Sequence, residues 1–250
     1  MVVPAYNEAA TIAPVVRAAL AAGVGPVLVV DDGSSDGTAD VAQAAGADVV
    51  RLGVNRGKGG ALQAGALAAG EDVLVLLDAD LVGLRPEHVH ALADPVLAGE
   101  VDMTRGIFAG GRFRTSLAQR VTPQLSGQRA LRREALLGVP GLGASRYGVE
   151  VAITRHAIGC GWRFVDVPLA GVSQVMKEEK RGLLKGLGSR ARMYGEILST
   201  LLGSRRRRCR CSWAPAAAAH RPRTAHAPAA GTRCRSRPPP PTAGRGARTP

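Results

Sequence analysis

Short runs of β-branched and leucine residues alternate along residues 1–202 with longer stretches in which alanine, leucine and valine recur at helical spacing. A short continuous apolar run suits a strand buried on both faces, whereas recurrence every three to four residues suits a helix with one buried stripe. Strands are expected at Met1 to Val3, Val27 to Val30, Asp48 to Leu52, Val73 to Leu77, Asp102 to Phe108 and Trp162 to Pro168. Helices are expected at Glu8 to Ala22, Ser35 to Ala45, Gly57 to Ala69, Pro86 to Ala98, Gln128 to Leu137, Tyr147 to Ile158 and Lys180 to Leu202. Strand and helix succeed one another, which argues for an α/β fold built from parallel βαβ units.

The pattern stops at Gly203. Residues 203–250 hold twelve arginines, no lysine, no acidic residue and no apolar periodicity. Such a segment buries too little apolar surface to offset the entropy of ordering it, so a disordered tail is expected. It carries +12 of the net charge of +13, because the 33 basic residues less these twelve leave 21 against 20 acids, all within residues 1–202. A basic tail suits nucleic acid or an anionic membrane surface. Arginine without lysine, among Ala, Pro, Gly and Cys, is also what a GC-rich gene yields out of frame, and a frameshift product is the preferred reading.

Cysteine usage agrees with that division. Cys209, Cys211 and Cys234 lie in the tail and Cys160 alone in the body, so no disulfide framework is expected within residues 1–202. The tail cysteines do not have zinc-finger spacing. No basic leader with an apolar core opens the chain and no run of eighteen apolar residues occurs, so a cytoplasmic protein without a membrane span is expected.

Candidate chemistry collects where strands end, the edge at which open parallel sheets bind ligands. The segment "VVPAYNE" reaches Asn7 and Glu8, "VLVVDDGSSDGT" reaches Asp31, Asp32 and Asp36, and "VLVLLDAD" reaches Asp78 and Asp80. Helix capping accounts for a lone acid. Three acidic strand ends together favour a bound cation with a polar ligand, because like charges held close destabilise one another unless something positive lies between them. The stretch "LGVNRGKGGALQAGAL" places Arg56, Lys58 and glycines at a helix start, where free N–H groups favour an anion. Close helix packing at Gly59 and Gly60 is an equal alternative. The loop is not a Walker A sequence, since Gly53 and Gly57 are separated by three residues and Gly59 follows Lys58; no dinucleotide fingerprint follows the first strand.

The stretches "VVPAYNEAATI", "VLVVDDGSSDGTADVA", "NRGKGGALQAGA" and "VLVLLDADL" resemble, in order and spacing, family 2 glycosyltransferases of the GT-A fold. The resemblance covers nearly all of residues 1–202. It implies a Rossmann-like, mixed but mainly parallel sheet flanked by helices, with a nucleotide-sugar-binding half at 1–100 and an acceptor half at 101–202. It implies a nucleotide-diphosphate sugar donor and a divalent Mg²⁺ or Mn²⁺. By the same resemblance Pro4, Tyr6 and Glu8 line the nucleoside pocket, Asp32 contacts the base, Lys58 serves the phosphates, Asp78 lies near the ribose and Asp80, in the DXD motif, ligates the metal. A hexosyltransferase is the implied enzyme class.

In the second half, "PQLSGQRALRREAL" and "GASRYGVEVAITRHA" look like the acceptor segments of glucosyl-3-phosphoglycerate synthases and polyprenyl-phosphate sugar synthases, with a Ser-Gly turn before a basic helix. Ser126, Gly127, Arg129 and Tyr147 are the implied acceptor contacts and Glu150 the implied catalytic carboxylate: general base for inversion, hydroxyl-positioning group for retention. Pairing of Glu150 with Arg129 or Arg155 is the structural alternative. Arg129, Arg132 and Arg133 suit a phosphorylated acceptor, small or lipid-linked, or form a solvated helix face. The segment from Val172 to Leu202 is a helix packed on its own domain or one lying on a membrane, and a homodimer stays open. Relatives place a metal-ligating histidine near Gln174. An inactive copy and a nucleic-acid-binding protein acting through the tail are the competing classes, although no nucleic-acid motif supports the second.

Overall fold

In the computed structural model, residues 1–109, 126–145 and 148–175 are described. The expected helix at 180–202, Tyr147 and the tail at 203–250 lie outside the described residues. Ten strands and helices, in alternation up to one short extra strand, build the first half: β1 (Val2–Ala5), α1 (Ile12–Ala21), β2 (Leu28–Asp31), α2 (Thr38–Ala44), β3 (Asp48–Arg51), α3 (Gly57–Ala68), β4 (Val73–Leu76), β5 (Leu81–Val82), α4 (Pro86–Leu97) and β6 (Met103–Ala109). The second half supplies β7 (Arg129–Arg132), α5 (Arg133–Leu137), a 3₁₀ turn at Leu142–Ala144, α6 (Val149–Gly159), β8 (Phe164–Ala170) and β9 (Ser173–Gln174).

Seven strands form one sheet in the order β3-β2-β1-β4-β7-β6-β8, and β5 pairs with β9 in a separate two-stranded ribbon. β1, β2, β3 and β4 run parallel, β7 is antiparallel to both its neighbours, and β6 and β8 are parallel to each other. The apolar runs make central strands because both faces are covered. Along β4, Leu74 and Leu76 pack on the side of α3 and α6 with Met103, Leu131 and Ile153, while Val75 and Leu77 pack on the side of α1 and α4 with Val3, Val16 and Leu92.

Element boundaries differ from expectation where polar side chains claim the first turn. The helix expected from Glu8 begins at Ile12, because the amides of Asn7, Glu8 and Ala9 donate to Ser34 Oγ, Thr38 Oγ1 and Asp36 Oδ2. The helix expected over Gln128 to Leu137 is half wrong. Residues 129–132 are the strand β7, inserted between β4 and β6, and only 133–137 are helical. Ala, Leu and Arg favour helix in isolation, but the gap between two strands requires a backbone that pairs on both sides. The Ser-Gly turn therefore leads into a strand and not a basic helix. Cys160, expected to stand outside any disulfide framework of the body, is disulfide-bonded.

Candidate active site

Parallel pairing brings the carboxyl ends of β1, β2 and β4 to one edge, so the three acidic segments do converge. Capping nevertheless explains one of them. Asp31 Oδ1 accepts the Ser34 amide at 3.0 Å, and Asp36 accepts the amides of Ala9 and Thr38, each at 3.1 Å. Burial pushes the Asp36 carboxyl up, but the hydrogen bonds from Thr38 and Ala9 outweigh it and hold the group below the usual carboxylate range. Asp32 accepts the Arg56 amide at 2.7 Å and the Gly57 amide at 2.8 Å. Three backbone donors at the start of α3 are thus taken by protein: those of Arg56 and Gly57 by Asp32, and that of Gly59 by Ser145 O at 3.0 Å. The expected anion cradle of free amides is absent at these three positions. The side chain that α3 brings to this edge is that of Lys58.

Packing is the stronger account of Gly59. A Cβ there would collide with the main-chain oxygens of Leu142 and Ser145, so only glycine lets α3 meet the 3₁₀ turn this closely.

Lys58 is the centre of the charged cluster. Its Nζ lies 2.6 Å from Asp78 Oδ1 and 2.5 Å from Glu150 Oε1, joining the first turn of α3, the end of β4 and the first turn of α6. Burial works against the lysine's charge, but the two carboxylates outweigh it and hold the pKa well above the ordinary lysine value. Two side-chain amides also reach Asp78: Gln128 Nε2 donates to Oδ2 at 2.8 Å and Gln174 Nε2 to the same oxygen at 2.6 Å. Ser126 Oγ donates to Gln128 Oε1 at 2.9 Å, which fixes which end of that amide faces Asp78.

The antiparallel strand explains the meeting. β7 starts at the edge where β4 ends, and their register pairs Leu76 with Arg129. Continued past the strand ends, it sets Gly127 opposite Asp78. A Cβ on Gly127 would lie 2.5 Å from both Asp78 carboxylate oxygens and 2.6 Å from Lys58 Nζ. Gln174 arrives through the ribbon, where it pairs with Leu81 just beyond the DXD segment, and the Val175 amide donates to Asp80 O at 3.1 Å.

Of the expected donor-side residues, Pro4 lies in β1, Tyr6 is exposed beyond it, and Glu8 Oε2 accepts the Thr11 hydroxyl at 2.7 Å. On the acceptor side, Ser126 and Gly127 border Asp78, whereas Arg129 is fully buried. Its guanidinium donates to Ser126 O, Glu150 O and Thr154 Oγ1 at 3.0, 3.1 and 2.9 Å. Glu150 forms an ion pair with Lys58, and Arg129 donates to the Glu150 main-chain carbonyl. Gln128 and Thr154 are not legible as site residues in the sequence. A glutamine within an Ala, Leu and Arg stretch reads as helix surface, and only the strand pairing reveals it as a buried group.

Residues 1–150 match the family described as glycosyl transferase family 2. The chain belongs to glycosyltransferase family 2. Among curated relatives of this glycosyltransferase is the glucosyl-3-phosphoglycerate synthase of Mycobacterium tuberculosis, 32% identical over 244 residues, 81% of this chain and 72% of that one. Another is the undecaprenyl-phosphate mannosyltransferase of Micrococcus luteus, 30% identical over 209 residues, 72% of this chain and 85% of that one. Among solved structures, the M. tuberculosis synthase in complex with Mn²⁺ and UDP-glucose superposes with a TM-score of 0.65 at 28% identity, over 82% of this chain and 78% of its own. The same synthase in complex with phosphoglyceric acid gives 0.65 at 29% identity, over 83% and 78%. The sheet described above is therefore the GT-A fold.

Asp78 is engaged by one ammonium and two amides, so it is already occupied as a hydrogen-bond acceptor. Among the described residues no group of three or more His, Cys, Asp or Glu side chains is placed to hold a metal. A divalent ion at this edge would take hard oxygen donors from an aspartate carboxylate and from a bound diphosphate. Gln174 turns its amide nitrogen to Asp78. No helix among the described residues is long and apolar enough to cross a membrane.

Proposed function

We propose that this glycosyltransferase moves a glucosyl group from UDP-glucose to a hydroxyl of a small phosphorylated acceptor such as 3-phosphoglycerate. The observation that carries the proposal is the cluster in which Lys58 joins Asp78, at the end of the donor half, to Glu150, at the start of the acceptor half. Transfer needs one group facing the donor's diphosphate and another facing the attacking hydroxyl, and Lys58 touches carboxylates of both halves. The relatives named above support the choice of donor and acceptor.

In this reading residues 1–100 bind the nucleotide sugar, residues 101–202 the acceptor, and 203–250 are a tail outside the catalytic domain. Pro4, Tyr6, Glu8 and Asp32 border the nucleoside, Asp32 by holding the Arg56–Gly57 turn, and Asp78 meets the ribose. Asp80 holds Mg²⁺ or Mn²⁺, which when bound offsets the negative charge growing on the departing diphosphate. Lys58 supplies a fixed positive charge beside the same oxygens, already oriented by Asp78. The bond from the sugar's anomeric carbon to the phosphate oxygen breaks and a bond from that carbon to the acceptor oxygen forms, while the acceptor's hydroxyl proton passes to Glu150 in an inverting reaction or to the departing diphosphate oxygen in a retaining one. Glu150 is the carboxylate that meets that hydroxyl, and Ser126, Gly127 and Tyr147 serve as acceptor contacts.

The test is a product assay on the full chain with UDP-glucose and Mn²⁺, offering 3-phosphoglycerate in one arm and undecaprenyl phosphate in phospholipid vesicles in another. Glucosyl-3-phosphoglycerate in the first arm is the expected result. Lipid-linked product in the second arm alone assigns the chain to the polyprenyl-phosphate class, and turnover in neither arm overturns the proposal.

A further inference from the structure

Arg129 carries a full side chain into the interior, where a charge is expensive unless it is paired and hydrogen-bonded. Burial pushes its pKa down to about 10, against the favourable influence of Glu150, Asp166 and Asp78 and the unfavourable one of Arg105. Arg105 is itself neutralised by a bidentate pair with Asp166, at 2.7 and 2.9 Å. Such a group persists where its fork has a geometric task, because a lysine or a neutral side chain cannot reach several acceptors at fixed angles.

The acceptors show the task. Arg129 Nε donates to Ser126 O, in the segment that borders Asp78, and Nη2 donates to Glu150 O, in the first turn of α6. Nη1 donates to Thr154 Oγ1, whose hydroxyl in turn donates to Glu150 O at 2.8 Å. One planar cation therefore ties the entry of β7 to the main chain of the residue whose carboxylate holds Lys58.

We propose that Arg129, with Thr154, is a positioning residue: by clamping the Glu150 carbonyl it sets the depth and rotation of the first turn of α6 and so holds the Glu150 carboxylate against Lys58. The clamp reaches the acceptor only through Glu150. Its part in catalysis rests on the reading of Glu150 as the carboxylate that meets the acceptor hydroxyl; the contact with Lys58 does not.

The test reads Lys58 directly, so it stands apart from the identity of the substrates. The full chain is acetylated with acetic anhydride at alkaline pH, and the rate at Lys58 is followed by peptide mass spectrometry in the wild type, Glu150→Gln, Arg129→Met and the double variant. Freeing Lys58 from Glu150 exposes more free amine, so Glu150→Gln and Arg129→Met each raise the rate by about tenfold, the equivalent of one pKa unit. The double variant rises no further than Glu150→Gln. A folded Arg129→Met with the wild-type rate, an additive rise in the double variant, or an unchanged rate in Glu150→Gln each overturns the proposal. Should Arg129→Met fail to fold, Arg129→Lys and Thr154→Val carry the same measurement: a raised rate in either supports the clamp, and wild-type rates in both overturn it. With UDP-glucose and 3-phosphoglycerate, Arg129→Lys lowers kcat while leaving the KM for UDP-glucose within about threefold, the pattern of a group that acts at the chemical step. Loss confined to KM overturns the catalytic part of the proposal.

Discussion

At Gly127 one missing atom allows the cluster to form. With Asp78 and Lys58 2.5 and 2.6 Å from where a Cβ would stand, Gly127→Ala must displace groups that are already paired. The variant is expected to lose about 1–3 kcal/mol of stability, the usual cost of overpacking, together with most activity, as checked by urea unfolding and a UDP-release assay. Asp80→Asn removes one charge without changing shape. Loss of turnover on the order of a hundredfold or more is expected, the cost of removing a preorganised charge-stabilising group, with the unfolding midpoint near wild type. A normal rate in the Asp80→Asn variant refutes the metal-ligand role. The sequence already names Asp78, Asp80, Lys58 and Glu150 as candidates, because their chemistry is carried by local motifs. It does not show that Lys58 lies between Asp78 and a carboxylate 92 positions further along the chain than itself, which is a property of packing alone.

On the scale of elements, the first turn of α3 and the strand β7 teach different lessons. The helix over 57–68 is plain from its spacing, but the N-terminal amides that the sequence offers to phosphate are filled at Arg56, Gly57 and Gly59 by Asp32 and Ser145. Asp32→Ala is therefore expected to cost about 1–3 kcal/mol, since two part-buried donors lose their acceptor, with guanidinium unfolding as the measurement. Gly59→Ala forces α3 off the 3₁₀ turn, and a similar loss is expected with a drop in melting temperature. β7 is hidden in the sequence because Arg-Ala-Leu-Arg favours a helix and an arginine suggests the surface. In place, Ala130 and Leu131 are buried between β4 and β6 and Arg129 is enclosed with them. Long-range pairing outweighs local propensity, as it does wherever a strand completes a sheet interior.

For the whole molecule, ligand binding and pH give the remaining expectations. UDP with Mn²⁺ binds only the folded chain in the proposed reading, so at a hundred times the dissociation constant it adds about 2.7 kcal/mol to stability, and chelation by EDTA removes the gain. A thermal shift with and without Mn²⁺ measures it. Burial lowers the pKa of His156, whose ring packs edge-on against Trp162. A depressed folded pKa means the stabilisation is fully present above the ordinary value of 6.5 and is lost as pH falls below it, while the unfolded chain takes up the proton first. Urea midpoints should fall as the pH is lowered through the ordinary histidine value, and His156→Gln should flatten that fall. What the sequence determined by itself is whatever depends on neighbours along the chain: the alternation of strand and helix, the break in composition at Gly203, and the motifs that mark a family 2 glycosyltransferase. Tertiary structure alone decided which acids are caps and which face the site, that residues 129–132 are a strand, and that Arg129 lies inside. Those outcomes turn on which groups meet across the sheet, and the free energy of a buried charge or an unpaired amide is set by those meetings rather than by the residue's own preference.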